Sequence, residues 1–173
     1  GGVPRGRFAR LEADGSLDLA FATGAGVLGT PYALALQPDG RLFVSGQFSG
    51  YDGVLQKHVV RVNTDGSLDP TFAQGVGPNA GVFEIALQPD LKLLIAGLFT
   101  TYDGVTREGF ARLNSDGSVD TSFDPGAGEN QGISAIGVQS DGKLVIGGSF
   151  DEYGGAARHR IARVISSWPA GVA

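Results

Sequence analysis

Cysteine and methionine are absent from this chain of 173 residues, tryptophan occurs once and histidine twice. Without cysteine there is no disulfide framework and no thiolate metal site, and the compartment stays open, because secreted proteins can also lack cysteine. Basic residues are in the minority: 13 Lys and Arg face 18 Asp and Glu, for a net charge of −5. That balance supplies no field to draw a phosphate backbone and argues against nucleic acid as the principal partner. Long apolar runs are missing too, so nothing reads as a membrane span. The first residue is Gly1 rather than an initiator, which reads as a processed form or a piece of something longer.

Glycine, by contrast, is abundant at 29 residues, and Asp-Gly, Gly-Gly and Pro-Asp punctuate short apolar runs. That is an all-β pattern. The punctuation is periodic. Asp14-Gly15-Ser16-Leu17-Asp18 returns at Asp65 and at Asp116, one copy every 51 residues, with the flanking sequence in the same register. Repeats of this length bury their apolar faces only against neighbours, so the array is the functional object. The units run over about residues 5–55, 56–106 and 107–157, with a left-over strand at 158–164 that repeats the Arg-containing opening a fourth time. After Val164 the register fails, and residues 165–173 read as a C-terminal tail or linker in which Trp168 caps apolar surface.

Four strands are expected in each unit. The first is Phe8 to Leu11 with its counterparts Val59 to Val62, Phe110 to Leu113 and Ile161 to Val164. A short second strand ends at Phe21, Phe72 or Phe123, before a Gly-rich bend repeated at Gly24, Gly26, Gly75, Gly77, Gly126 and Gly128. The third, Tyr32 to Gln37 and its equivalents Phe83 to Gln88 and Ser134 to Gln139, alternates large and small residues with a period of two. Alternating bulk of this kind lets successive sheets nest face to face. A hairpin turn follows, with Leu91 breaking the Asp-Gly pattern in the middle copy, and then the fourth strand, Leu42 to Phe48, Leu93 to Phe99 and Leu144 to Phe150. Four strands per unit is blade geometry, which predicts a β-propeller module over residues 1–164. The alternative is a threefold β-trefoil or β-prism.

Three sets of recurring residues invite a chemical reading. Asn63, Asp65 and Asp69, and likewise Asn114, Asp116 and Asp120, offer oxygens at alternate positions as calcium loops do, although Gln74 and Pro125 stand where the closing acid belongs. The plainer reading is a hairpin turn in which Asp accepts backbone N–H bonds and Gly takes positive φ. Arg10, Arg61, Arg112 and Arg163 recur with Asp18, Asp69 and Asp120. Half-buried arginines need partners, so Arg–Asp pairs with a structural role are expected, the rival being an Arg ring aimed at an anionic ligand. Tyr51, Tyr102 and Tyr153 either stack on sugars at a loop rim or pack under the next turn, anchored by the hydroxyl. His58 and His159 have no nucleophile to serve, and no Gly-x-Ser-x-Gly elbow is present, so no catalytic residue is assigned.

The run Ala-Arg-Leu-Asn-x-Asp-Gly-Ser-Val-Asp-x-Ser-Phe from Ala111 to Phe123, together with Ile-x-Val-Gln-x-Asp-Gly-Lys-Leu-x-Ile-Gly-Gly-x-Phe from Ile136 to Phe150, resembles the delta-60 repeat family. These are bacterial β-propeller modules, mostly of large secreted or surface proteins, and the resemblance covers nearly all of residues 5–164. It implies propeller blades and a secreted or cell-surface setting, and it brings no catalytic residues or cofactor. Propellers close with about four to eight blades. Three units therefore imply either a homodimer closing a six-bladed ring or a segment of a longer propeller. The expected function is a non-enzymatic structural or protein-interaction module whose partner is a protein, a second copy of itself or a surface glycan. A carbohydrate-binding lectin and a calcium-dependent adhesion module, with Ca2+ as its ion, are the alternatives.

Overall fold

The computed structural model describes residues 5–72, 75–123, 125, 132–154 and 156–164. Every regular element among them is a β-strand; no helix occurs, and so none is long and apolar enough to cross a membrane. The expected tail 165–173 with Trp168, together with Gln74, Gly126 and Gly128, lies outside the described residues.

The strands group into three antiparallel blades. Blade one holds β1 (Val27–Leu36), β2 (Leu42–Tyr51) and β4 (Val59–Val62), with the short β3 (Val54–Leu55) folded back on the end of β2. Blade two holds β5 (Val82–Leu87), β6 (Leu93–Gly97) and β9 (Phe110–Leu113), and beside it lies the small hairpin of β7 (Thr101–Tyr102) and β8 (Val105–Thr106). Blade three repeats the arrangement with β10 (Ile133–Val138), β11 (Leu144–Gly148) and β14 (Ile161–Val164), and a hairpin of β12 (Glu152–Tyr153) and β13 (Ala156–Ala157). In each blade the register slips by a bulge on the inner strand, between Pro31 and Ala33, Val82 and Glu84, and Ile133 and Ala135. Opposite each bulge stands a glycine, Gly46, Gly97 or Gly148, where a Cβ would run into the carbonyl of Thr30, Gly81 or Gly132. The repeated glycine is thus a matter of backbone approach.

Two expectations change here. The short second strand is no strand: the chain makes one bridge, Val62 to Leu68 or Leu113 to Val119, and then turns. The cause is the Asp that follows, since Asp69 and Asp120 accept the N–H groups of Thr71 and Ser122 and bend the backbone out of the extended form. The buried Phe72 and Phe123 end this turn instead. The second change is phase. Each blade begins in one sequence unit and takes its outer strand from the next, so blade one runs across the 55/56 boundary. Among the described residues Phe8 to Leu11 pairs with no inner strand and makes the bridge from Leu11 to Leu17.

The sheets stack in series, and the principal contacts between them join β1 and β2 to β5, and β10 to β5 and β6. They do not close on themselves, which is the opposite of the threefold closure that a trefoil or prism requires. Because side chains alternate along a strand, blades one and two each feed two cores. Leu93 and Ile95 of β6 join Phe43 and Val59 of blade one, while Leu94 and Ala96 join Leu144 and Ile146 of blade three. A third core sets Phe8 and Phe21 against Val44, Phe48, Val60 and Val62 of blade one.

Candidate functional site

The recurring arginines and aspartates come together between blades. Arg61 on β4 donates through Nε to Asp69 Oδ2 at 2.8 Å and through Nη2 to Thr71 Oγ1 at 2.8 Å. Its Nη1 crosses to blade two and donates to the Ser115 carbonyl at 2.6 Å. The guanidinium carbon lies 5.7 Å from the Phe43 ring centre and 5.3 Å from that of Phe72, within cation–π reach. Arg61 thereby pins its own outer turn and the turn of the following blade. Arg10 repeats the pattern, with Nε to Asp18 at 2.6 Å and Nη1 to the Thr64 carbonyl at 2.7 Å. Arg112 holds Asp120 at 2.8 Å and sits 4.6 Å from the Phe123 ring centre. Arg163 on β14 is exposed, and Gly171, where its aspartate would stand, lies outside the described residues.

A second cation reinforces two of these carboxylates. Arg41 reaches Asp69 at 2.8 Å, and Lys92 reaches Asp120 at 2.6 Å. Burial raises the pKa of both aspartates, but hydrogen bonds from Thr71, Arg41 and Arg61 in one case, and from Lys92 and Ser122 in the other, outweigh it. Both carboxyls are held well below the ordinary range. Asp18 is lowered mainly by its bond to Arg10. Sequence reasoning foresaw Arg and Asp but missed Arg41 and Lys92, whose signal was a cation repeating directly after each inner hairpin turn.

The six residues of the calcium reading are not gathered on one point. Asp65 Oδ1 takes the Ser67 N–H at 2.9 Å and its hydroxyl at 2.7 Å, and Asp116 does the same with Ser118. Asn63 and Asn114 donate to those serine hydroxyls at 3.0 and 2.9 Å, while Asp69 and Asp120 turn away to the arginines. Among the described residues no group of three or more His, Asp or Glu is placed to hold an ion. The rim reading of the tyrosines also changes. The rings of Tyr51 and Tyr102 are buried, and their hydroxyls donate to the Gly66 and Gly117 carbonyls at 2.6 and 3.0 Å. Burial pushes both phenols up. Tyr153 is half-buried, its ring centre 6.1 Å from that of Phe150. His58 places Nδ1 3.2 Å from the Gly46 carbonyl, its pKa lowered by burial, and His159 is exposed.

One concave surface is formed where the three inner hairpin turns converge. It is an open groove of 710 Å³, lined on each blade by an apolar residue and a glutamine: Leu36 and Gln37, Leu87 and Gln88, Val138 and Gln139. Leu91 adds a wall to it from an unusual backbone. Its φ is +67°, at the turn position that Gly40 and Gly142 occupy in the other two copies. A leucine in the left-handed region is strained by about 1–2 kcal/mol.

A family model described as a domain of unknown function (DUF5122) beta-propeller matches residues 1–21, 37–72, 88–123 and 139–165. The second and third stretches each run from the buried glutamine of the inner hairpin to the phenylalanine of the outer turn, and so cross the boundary between 51-residue units, joining β2 to β4 and β6 to β9 without the inner strand. Neither a curated protein nor a solved structure gives a match.

Proposed function

This chain belongs to the DUF5122 β-propeller family, and from that premise we propose that it is a non-enzymatic interaction module of the delta-60 kind, part of a secreted or cell-surface bacterial protein, which binds a polypeptide on the rim of its inner hairpin turns. Leu91 carries the reading. Backbone strain at a groove wall persists where the side chain serves a purpose, and glycine in both other copies removes any need for strain in the fold itself. The charged residues that recur throughout the array support the non-enzymatic part, since their hydrogen bonds are made within and between the blades. The test is Leu91→Gly. Melting should rise by about 2 °C as the strain is released, while retention on a displayed library of short peptides should fall. Peptide retention unchanged by the substitution defeats the rim reading. Saturable binding on a glycan array would favour the lectin, and a melting temperature lowered by chelator would favour the calcium-dependent adhesion module.

A further inference from the structure

The floor of the rim groove holds polar groups that the fold itself does not use. Ala33 and Ala35 of β1 share a core with residues of β5, and Ala86 of β5 shares one with residues of β10. Side chains alternate, so Gln37 and Gln88, each two residues beyond such an alanine, continue the same side into the two internal junctions of the stack. They are 3% and 2% exposed. Oε1 of Gln37 and both amide atoms of Gln88 have no hydrogen-bond partner among the described residues, and both side chains line the groove. A buried amide left without partners is costly, and in native proteins such a group calls for something that completes it.

We propose, on the reading that the rim binds a polypeptide, that its ligand is a polyproline II segment with one non-proline residue in every three. A peptide group complements a glutamine amide: its carbonyl accepts from Nε2 and its N–H donates to Oε1. The terminal torsion of glutamine is soft, so a small rotation turns each amide from the floor toward the groove. Spacing selects the conformation. Packed sheets stand about 10 Å apart, and a polyproline II helix advances about 9 Å in each three-residue turn. It therefore offers the same face to every blade. An extended strand covers a similar distance in three residues but turns its opposite face to the next blade. Polyproline II also makes no internal hydrogen bonds, which leaves its backbone free for the glutamines. Proline has no N–H, so the orphaned Oε1 atoms require a non-proline residue at each turn. The apolar lining from Leu87, Pro89 and Leu91 suits the proline rings between.

The test is calorimetric titration of the full chain with three synthetic dodecapeptides: one repeating Pro-Leu-Pro, one alternating Pro-Leu, and oligoproline. The first should bind at least about tenfold more tightly than the other two. Gln88→Met and Gln37→Met should each weaken that binding at least about tenfold. Gln88→Met should at the same time raise the melting temperature of the free chain by about 3 °C, because an orphaned amide is removed from the interior. A purely structural glutamine would lower it. Equal affinity for the three peptides, affinity unchanged in both glutamine variants, or a Gln88→Met chain that melts below the wild type would each overturn the inference. Leu91-dependent retention of peptides that lack the three-residue period would overturn it too while leaving the rim reading standing, whereas retention of no peptide at all would remove both.

Discussion

Arg61 and Arg10 share two bonds in two different places. Both hold an aspartate of their own turn and a carbonyl 54 residues on, and both lie over a phenylalanine ring. The Arg61 side chain is 4% exposed and the carboxylate it holds is shared with Arg41, while the Arg10 side chain is 42% exposed and, among the described residues, Arg10 is the one cation paired with the Asp18 carboxylate. These three contacts are common to both, and Arg61 adds a bond to Thr71 and a second ring, Phe43. What separates the interior of the stack from its first margin is therefore the penalty for breaking a bond, since a buried charge left alone is far more costly than one that water can reach.

The largest expected effect breaks the comparison directly. Arg61→Ala should destabilise the chain by about 3 kcal/mol or more, because Asp69 and the Ser115 carbonyl lose a buried partner. Arg10→Ala should shift the melting temperature far less. Equal losses in a thermal melt would show that burial does not set the difference. Acid sharpens the same contrast. Asp69 and Asp120 have folded pKa values below their unfolded values, so their stabilisation is complete above about pH 4 and disappears as pH falls through the folded values. Denaturant melts from pH 6 down to pH 2 should show a steep loss that Asp69→Asn and Asp120→Asn flatten. A slope unchanged in both variants would place the titrating groups elsewhere. The smallest effect tests the converse, where margin and interior are equally buried. Tyr51 abuts the margin and Tyr102 the interior, yet both rings are enclosed and both hydroxyls bond a glycine carbonyl. Tyr51→Phe and Tyr102→Phe should each lose about 1 kcal/mol, and a large inequality in their melts would mean that place in the array matters beyond burial.

Much of this was legible from residues alone. The 51-residue period, the all-β class, the Arg–Asp pairing and the packed reading of the tyrosines rest on residues that recur in every copy, and recurrence is visible without coordinates. The phase of the blades was not legible, because a periodic sequence looks the same from any starting point, and only the pairing of β2 with β4 fixes where a sheet begins. The left-handed backbone at Arg7, His58, Gly109 and Arg160 was hidden for a related reason. One conformation is served there by three residue types, and glycine marks it once. The groove was half visible: Leu91 stood out as a missing glycine, but the meeting of three distant turns is a property of stacking.

The misfit between unit and blade has a consequence in heredity. Since each sheet is sewn from the tail of one unit and the head of the next, a duplication of any 51 consecutive residues, wherever its breakpoints fall, inserts one whole blade with both of its seams already matched. A duplication out of step by a single residue whose seam falls inside a strand would turn the rest of that strand over and put its core side to water. Lineages carrying such an array can therefore lengthen or shorten it in whole steps at little risk, and the period survives because a departure from it inside a strand is visible to selection at once.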